Sequence, residues 1–356
     1  MAARTEQAKN ETTDAADAAY DAALRAVVAG TSGGLNPTAL AVLAPLNAVF
    51  YLRDYLPANE HAAVVASAAR RLISEVSTPN AEPAAVQPWR GRRRPSITAL
   101  ARLAGTRTDT SRAVTLLQHL LELEPRLDHR SVRGLRLTAH SLLLGMPAAP
   151  ERIAWASSAA RGGLNAWAAG NARPPRDGET ARWAGCLGQP PLEPARQALA
   201  GGLRFAALVD ALSVAAALRL HARPNADEAT GLIAAHAVRR LAEIGGAPAL
   251  AAWLGVAAEL SPTPDRGLLK AREPAPEPRA LALAAVRSGE ALLIQAAEAA
   301  LMEAEALPPE LRHVPLSALA ALLRAHRAMA AEPGSAQLHA AHEECAAATA
   351  AAGGIR

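Results

Sequence analysis

Lysine is nearly missing from this chain. Lys9 and Lys270 are the only two, so 35 of the 37 basic residues are arginine. A GC-rich coding sequence explains that bias as readily as any function does. Cysteine is equally scarce: Cys186 and Cys345 are too few for a disulfide scaffold or a thiolate metal site, which points to a reduced, cytoplasmic protein. Aromatic residues make up 3% of the chain while hydrophobic residues reach 51%, so Ala and Leu must do the packing. Such small side chains bury little area each, and a stable core then needs many helices. Long apolar runs are lacking too. A membrane span takes about 18–20 apolar residues, and the best stretch, Phe205 to Leu218, is shorter and contains Asp210. The start of the chain carries Glu6, Glu11, Asp14 and Asp17, the opposite of a basic opening followed by an apolar signal core. The expectation is a protein without a membrane partner.

Several chemical signatures are also absent. There is no Gly-rich dinucleotide fingerprint, phosphate loop, Gly-x-Ser-x-Gly nucleophile turn or His-Glu-x-x-His zinc helix. Common nucleotide-dependent enzymes and serine hydrolases lose ground accordingly.

What is present reads as helix almost throughout. Residues 1–13 read as a disordered tail and 14–356 as a single all-α domain, a compact multi-helix bundle with a central cavity. Pro-rich connections fall near 77–95, 171–194 and 261–278. Periodicity and capping signals predict helices at 14–29, 37–56, 60–76, 96–104, 109–124, 129–145 and 150–169. The second half predicts 193–221, which Gly201-Gly202 can interrupt, then 227–244, 248–260, 279–307, 315–331 and 335–352. The segment 171–194 reads as a surface lid or a boundary. No stretch alternates as a strand would.

Charge is uneven along this pattern. The net charge is +4, yet eleven arginines between Trp89 and Arg136 face only Asp109, Glu122, Glu124 and Asp128. The histidines recur in an arrangement of their own. His119, Pro125 and Ala139-His140 are echoed by His221, Pro224 and Ala235-His236, and by His326, Pro333 and Ala341-His342. The His–His separations of 21, 15 and 16 do not make a regular repeat. The rings either converge on a site or sit as satisfied helix histidines.

Among carboxylates, Asp210 stands out in Phe205-Ala-Ala-Leu-Val-Asp-Ala-Leu-Ser-Val, where only Arg204 is a near charge. A buried carboxylate must be paired, hydrogen-bonded or neutral. It is either a general base facing a cavity or an ion held by an Arg or hydroxyl from a neighbouring helix. Gln295, Glu298 and Met302 share one helix face, either lining a cavity or forming a structural polar pair. His339, His342 and Glu343 have a ligand-like spacing on a terminal helix, and His61 follows Glu60 at a helix start.

Two stretches resemble known patterns. Arg133-Gly-Leu-Arg-Leu-Thr-Ala-His140 is similar to a helix motif of the questin oxidase-like family, and Ser288-Gly-Glu-Ala-Leu-Leu-Ile-Gln-Ala-Ala-Glu298 is similar to a later segment of it. Enzymes of that family oxidise or cleave aromatic polyketides, some with a non-haem metal held by histidines and a modified lysine. His140 matches one family histidine. Arg133, Leu292 and Gln295 stand where two further histidines and the lysine are expected, and none is a good ligand. The resemblance therefore implies a family-like cavity with altered or lost metal chemistry. Separately, Ser96 to Arg112 resembles the opening of a helix-turn-helix, with Ala101 and Gly105 in place but Ser111 where the pattern wants an apolar residue. Arg90, Arg92, Arg93 and Arg94 precede it as possible phosphate contacts.

Taken together, the expectation is a questin oxidase-like tailoring enzyme acting on a small aromatic, polyketide-type metabolite by oxidative or metal-independent acid/base chemistry. Asp210 and His236 are the acid/base candidates. Arg136, His140, Gln295 and Glu298 are the substrate-binding candidates, Arg136 through a charge-assisted bond to a phenolate or carboxylate. No metal ligand set is assigned, and the cofactor is left unknown. The alternative is a non-catalytic helical ligand-binding protein, with a helix-turn-helix DNA-binding protein as the lesser one.

Overall fold

The computed structural model describes residues 21, 44–45, 47–57, 95–162, 173–185, 187, 191–245, 249–260 and 276–331. The expected tail at 1–13, the helices at 60–76 and 335–352, nearly all of that at 14–29, residues 37–43 and 46 of that at 37–56, the Arg90–Arg94 run, His61, and His339, His342 and Glu343 lie outside them. So do Pro333, Ala341 and most of the 77–95 and 261–278 connections. Among the described residues the protein is an all-α bundle without strands, as its composition predicted.

Four helices follow a helical segment at 47–51 and a 3-10 turn Leu52–Tyr55: α1 (Ile97–Ala104), α2 (Thr110–Leu123), α3 (His129–Gly145) and α4 (Pro150–Arg161). Next come α5 (Glu179–Ala184), α6 (Leu192–Ala200), α7 (Phe205–Ala222), α8 (Ala226–Gly245) and α9 (Ala249–Glu259). The described part ends with α10 (Pro278–Ser288), α11 (Ala291–Ala306) and α12 (His313–Ala331). Two helix breaks are glycine effects, the first allowed for by the sequence reading and the second a departure from it. The expected helix 193–221 is two, α6 and α7, because Gly202 takes φ 79° between them. The expected helix 279–307 is likewise split at Gly289, with φ 71°. A left-handed residue ends a helix, and glycine reaches that region without a Cβ clash. Within the expected irregular stretch 171–194 the short α5 forms, with Glu179 holding its first turn to Arg173 and to the Arg176 N–H.

α7 is the central strut. It packs on α5, α8 and α12, and nearly every side chain from Phe205 to Leu220 is buried. By length and composition it could cross a bilayer, longer than the sequence suggested, but 83% of it is covered by the other helices. α8 packs against α2, α7, α9 and α11, so it touches both halves of the bundle. The core is built mainly from Ala and Leu, with Trp253 of α9 fully buried in it and donating Nε1–H to the Leu208 carbonyl at 2.8 Å.

The stretch that resembles a helix-turn-helix does fold as helix, turn and helix: Ser96 Oγ caps α1 through the Ala99 N–H, and Asp109 caps α2 through the Arg112 N–H. Its second helix is committed elsewhere. Thr110, Ser111, Ala113, Val114 and Leu117 are buried, and α2 packs on α8 and α9. Glu259, at the end of α9, accepts from the Thr110 and Ser111 N–H groups at 2.6 and 2.9 Å and from Arg152 Nη1 at 2.7 Å. Most of α2 is thus packed inside the bundle, with Arg112 exposed and Thr115 and Leu116 half-buried.

Gly105 is required here for closeness, since its φ is an ordinary −63°. A Cβ at this position would lie 2.3 Å from the backbone C and O of Ala251. Backbone cannot swing aside as a flexible side chain would. Gly105→Ala is therefore expected to lower stability by about 1–3 kcal/mol, read as an earlier denaturant midpoint with an unchanged slope.

Candidate functional site

A cavity of about 340 Å³ opens where α2, α8, α11 and the 47–51 segment meet. Its walls carry Glu122 from α2, His236, Arg239, Arg240 and Glu243 from α8, and Glu298, Met302, Glu305 and Ala306 from α11, with Tyr51 alongside. The spacing on α8 is i, i+3, i+4, i+7, one continuous face. On α11 it is i, i+4, i+7, i+8, the same geometry.

One side of this site is a closed ion network. Arg239 sends Nε to both Glu303 oxygens at 2.9 Å, Nη2 to Glu303 Oε2 at 2.7 Å and Nη1 to Asp210 Oδ1 at 2.9 Å. His236 Nδ1 lies 2.9 Å from Glu303 Oε1. Glu303 is wholly buried, which pushes its carboxyl up, but the Arg239 charge and the His236 and Arg239 hydrogen bonds outweigh burial and hold it at about 2. An ionised Glu303 requires His236 to carry its proton on Nδ1, which fixes the ring. Burial raises Asp210 above the usual carboxylate range, with Arg239 opposing.

The other side is different. Glu122 accepts hydrogen bonds from Gln118 Nε2 at 3.0 Å and Asn47 Nδ2 at 3.5 Å, and His119 Nδ1 at 3.6 Å and Arg240 Nε at 3.8 Å lie within ion-pair distance of it. Burial raises its carboxyl, yet the His119 and Gln118 interactions and the His236 charge bring it below the ordinary glutamate value. Glu298 has none of this. It is 3% exposed, and no hydrogen bond from a described residue reaches it. Burial first, and the neighbouring Glu122 charge second, push its carboxyl well above the usual range, with Arg240 opposing only in part. Of the two carboxyls on the cavity wall, Glu122 is thus the one whose ionised form is favoured and Glu298 the one whose neutral form is favoured. At the mouth, Arg240 pairs with Glu243 at 2.5 Å, and Tyr55 donates to Glu305.

Of the residues singled out in the sequence, His236, Glu298 and Met302 line the cavity. Asp210 lies behind it, its carboxylate taken by Arg239 of the neighbouring helix. Gln295 is on the correct face of α11 but nearly two turns short of Met302, and its amide donates to the Ala291 carbonyl at 3.3 Å. Arg136 and His140 sit on α3, which packs on α1 and α2. Arg136 forms a bidentate pair with Glu124, and His140 is lowered by burial and by Arg107. Of the recurring histidines, His119 and His236 both act on Glu122, whereas His221 Nδ1 lies 3.4 Å from the Ser317 carbonyl.

Glu122, Arg239, Arg240 and Glu303 were not singled out by sequence reasoning. The α8 pattern His236-x-x-Arg239-Arg240-x-x-Glu243 was the available signal. Among the described residues no three His, Cys, Asp or Glu side chains converge as a metal-binding group. The donor set at the positions matching the questin oxidase-like ligands does not fit one either, because Arg133, Leu292 and an internally bonded Gln295 stand there.

No family model matches the chain, and no match to it was found among curated proteins or solved structures.

Proposed function

We propose that this protein is a small-molecule enzyme that works by general acid/base proton transfer, with Glu298 as proton donor and Glu122 as acceptor. The observation that supports this reading most is Glu298, a buried carboxyl on a cavity wall with no hydrogen-bond partner among the described residues. A protein gains nothing in stability from such a group, and sites of this kind serve proton transfer. His236 and Arg239, locked by Glu303, hold the α8 wall in place and are positioning residues in this scheme. The cavity falls within the size range of small-molecule sites. The resemblance to questin oxidase-like proteins adds a substrate direction, a flat aromatic metabolite of polyketide type, whose carbonyl and phenol oxygens suit a neutral carboxylic acid.

The test is a carbon-13 titration of protein labelled at glutamate Cδ, with E122Q and E298Q for assignment. Glu298 is expected to remain protonated at pH 7 while Glu122 is ionised, and E122Q should bring the Glu298 titration down by removing the neighbouring charge. A Glu298 that titrates in the ordinary glutamate range would sink the reading.

A further inference from the structure

Both carboxyls line the same cavity, and they offer a ligand opposite things. Glu298, buried beside Glu122 with no hydrogen bond from a described residue, is favoured as the neutral partner that donates an O–H. Glu122, held by Gln118 and Asn47, is favoured as the ionised partner that accepts. A ligand cation seated on Glu298 would first have to strip its proton, and a ligand anion would meet Glu122, Glu243 and Glu305 on the walls. The two arginines that could favour an anion are already engaged. Arg239 is taken by Glu303 and Asp210, and Arg240 by Glu243 and Glu122. A neutral ligand with an acceptor oxygen beside a removable proton meets neither cost. Polar groups left unmatched in such a site are expensive, so complementarity here selects for that pair.

Resting on the acid/base reading above, we propose that the cavity binds a neutral, enolisable carbonyl compound and moves a proton between its α-carbon and its oxygen. The Glu122 carboxylate takes the proton from the carbon α to the carbonyl. The C–H electron pair becomes the C=C bond of the enol, and the carbonyl π pair takes the proton from Glu298. Glu122 is left protonated and Glu298 ionised. The reverse step returns a proton to carbon, at the same or a conjugated position, and restores both groups. No oxidant, reductant or co-reactant enters, so the net reaction is an isomerisation or a hydrogen exchange. Met302 and Tyr51 supply apolar wall for a ring.

The experiment uses the full chain with 1-tetralone, a neutral bicyclic ketone, in deuterated buffer. Loss of the proton signals next to the carbonyl is followed by proton NMR. Exchange is expected to exceed the buffer rate by at least about 100-fold and to fall by about 100-fold or more in E122Q and in E298Q, with both variants retaining cooperative melting. No acceleration by the wild-type chain, or acceleration untouched by either substitution, overturns the proposal. Benzylamine is tested in parallel by calorimetry in two buffers of different ionisation enthalpy. Tight binding of benzylamine with release of one proton, without tetralone exchange, overturns it in favour of a cationic substrate. If exchange fails while the carbon-13 titration still finds Glu298 protonated, the substrate class falls and the acid/base reading stands. A Glu298 that titrates normally removes both.

Discussion

Replacing Arg239 by methionine is expected to destabilise the fold by about 3–5 kcal/mol, because it takes the guanidinium from Asp210 and leaves Glu303 with His236 alone among the described partners. Glu303 has no exposed surface and Asp210 is 5% exposed. In the native protein one guanidinium satisfies both, across helices α7, α8 and α11. Methionine fills similar volume, so the loss reports charge and hydrogen bonding more than a cavity. The triple replacement of Arg239, Glu303 and Asp210 by apolar residues should recover much of the loss, since no buried ion then lacks a partner. Chemical denaturation of the three proteins checks this, and a single variant as stable as wild type would show that the network carries no fold stability.

The same network sets a pH signature opposed by Glu298. Glu303 is held at about 2 in the folded protein, below the roughly 4.3 of a free glutamate. The stability it contributes is therefore present above about pH 4.3 and is lost as pH falls through about 2. Glu298 is raised, so the folded state binds the extra proton. Its contribution is full below the unfolded value and declines as pH rises toward the folded one. The wild-type chain should thus lose stability on both flanks. In E298Q the decline on the alkaline side should flatten while the acid flank stays, a difference that melting curves at several pH values will show.

How far the sequence announced this arrangement differs from residue to residue. Local signals were readable because they are local: the helix starts near 96 and 109, the Gly–Gly interruption after α6, and the helical face carrying Glu298 and Met302. A face, however, has a height as well as a direction. Gln295 shares the direction of Met302 but sits seven residues earlier, about 10 Å along the axis at 1.5 Å per residue, and so misses the cavity. Asp210 could be recognised as a buried carboxylate that needed a partner. That the partner is Arg239, and that Arg239 also serves Glu303, depends on how α7, α8 and α11 pack, which no periodicity specifies. Glu122 was hidden for the same reason. In sequence it is one acidic residue in an arginine-rich segment, and its significance appears only when α2 brings it against α8 and α11.

Replacing Glu298 by methionine should separate function from stability more sharply than any other single change. The carboxyl is buried with no hydrogen bond from a described residue, so the native fold bears its desolvation. Methionine is close in size and unbranched, and it can fill the space without overpacking. The variant is expected to be more stable than wild type by about 1–3 kcal/mol at neutral pH. It should also lose about 10²–10⁴ of the proton-transfer rate, the usual worth of a general acid. E298Q keeps a donor but cannot give up a proton, so it should share the catalytic loss with a smaller gain in stability. A merely structural Glu298 predicts the reverse pattern, a destabilised methionine variant whose activity survives in proportion to the folded fraction. Measuring the melting midpoint and the tetralone exchange rate on the same preparations decides between the two. Proteins commonly give up stability where a site demands it, and at Glu298 that cost is concentrated in one buried carboxyl that faces the cavity and takes no hydrogen bond from a described residue.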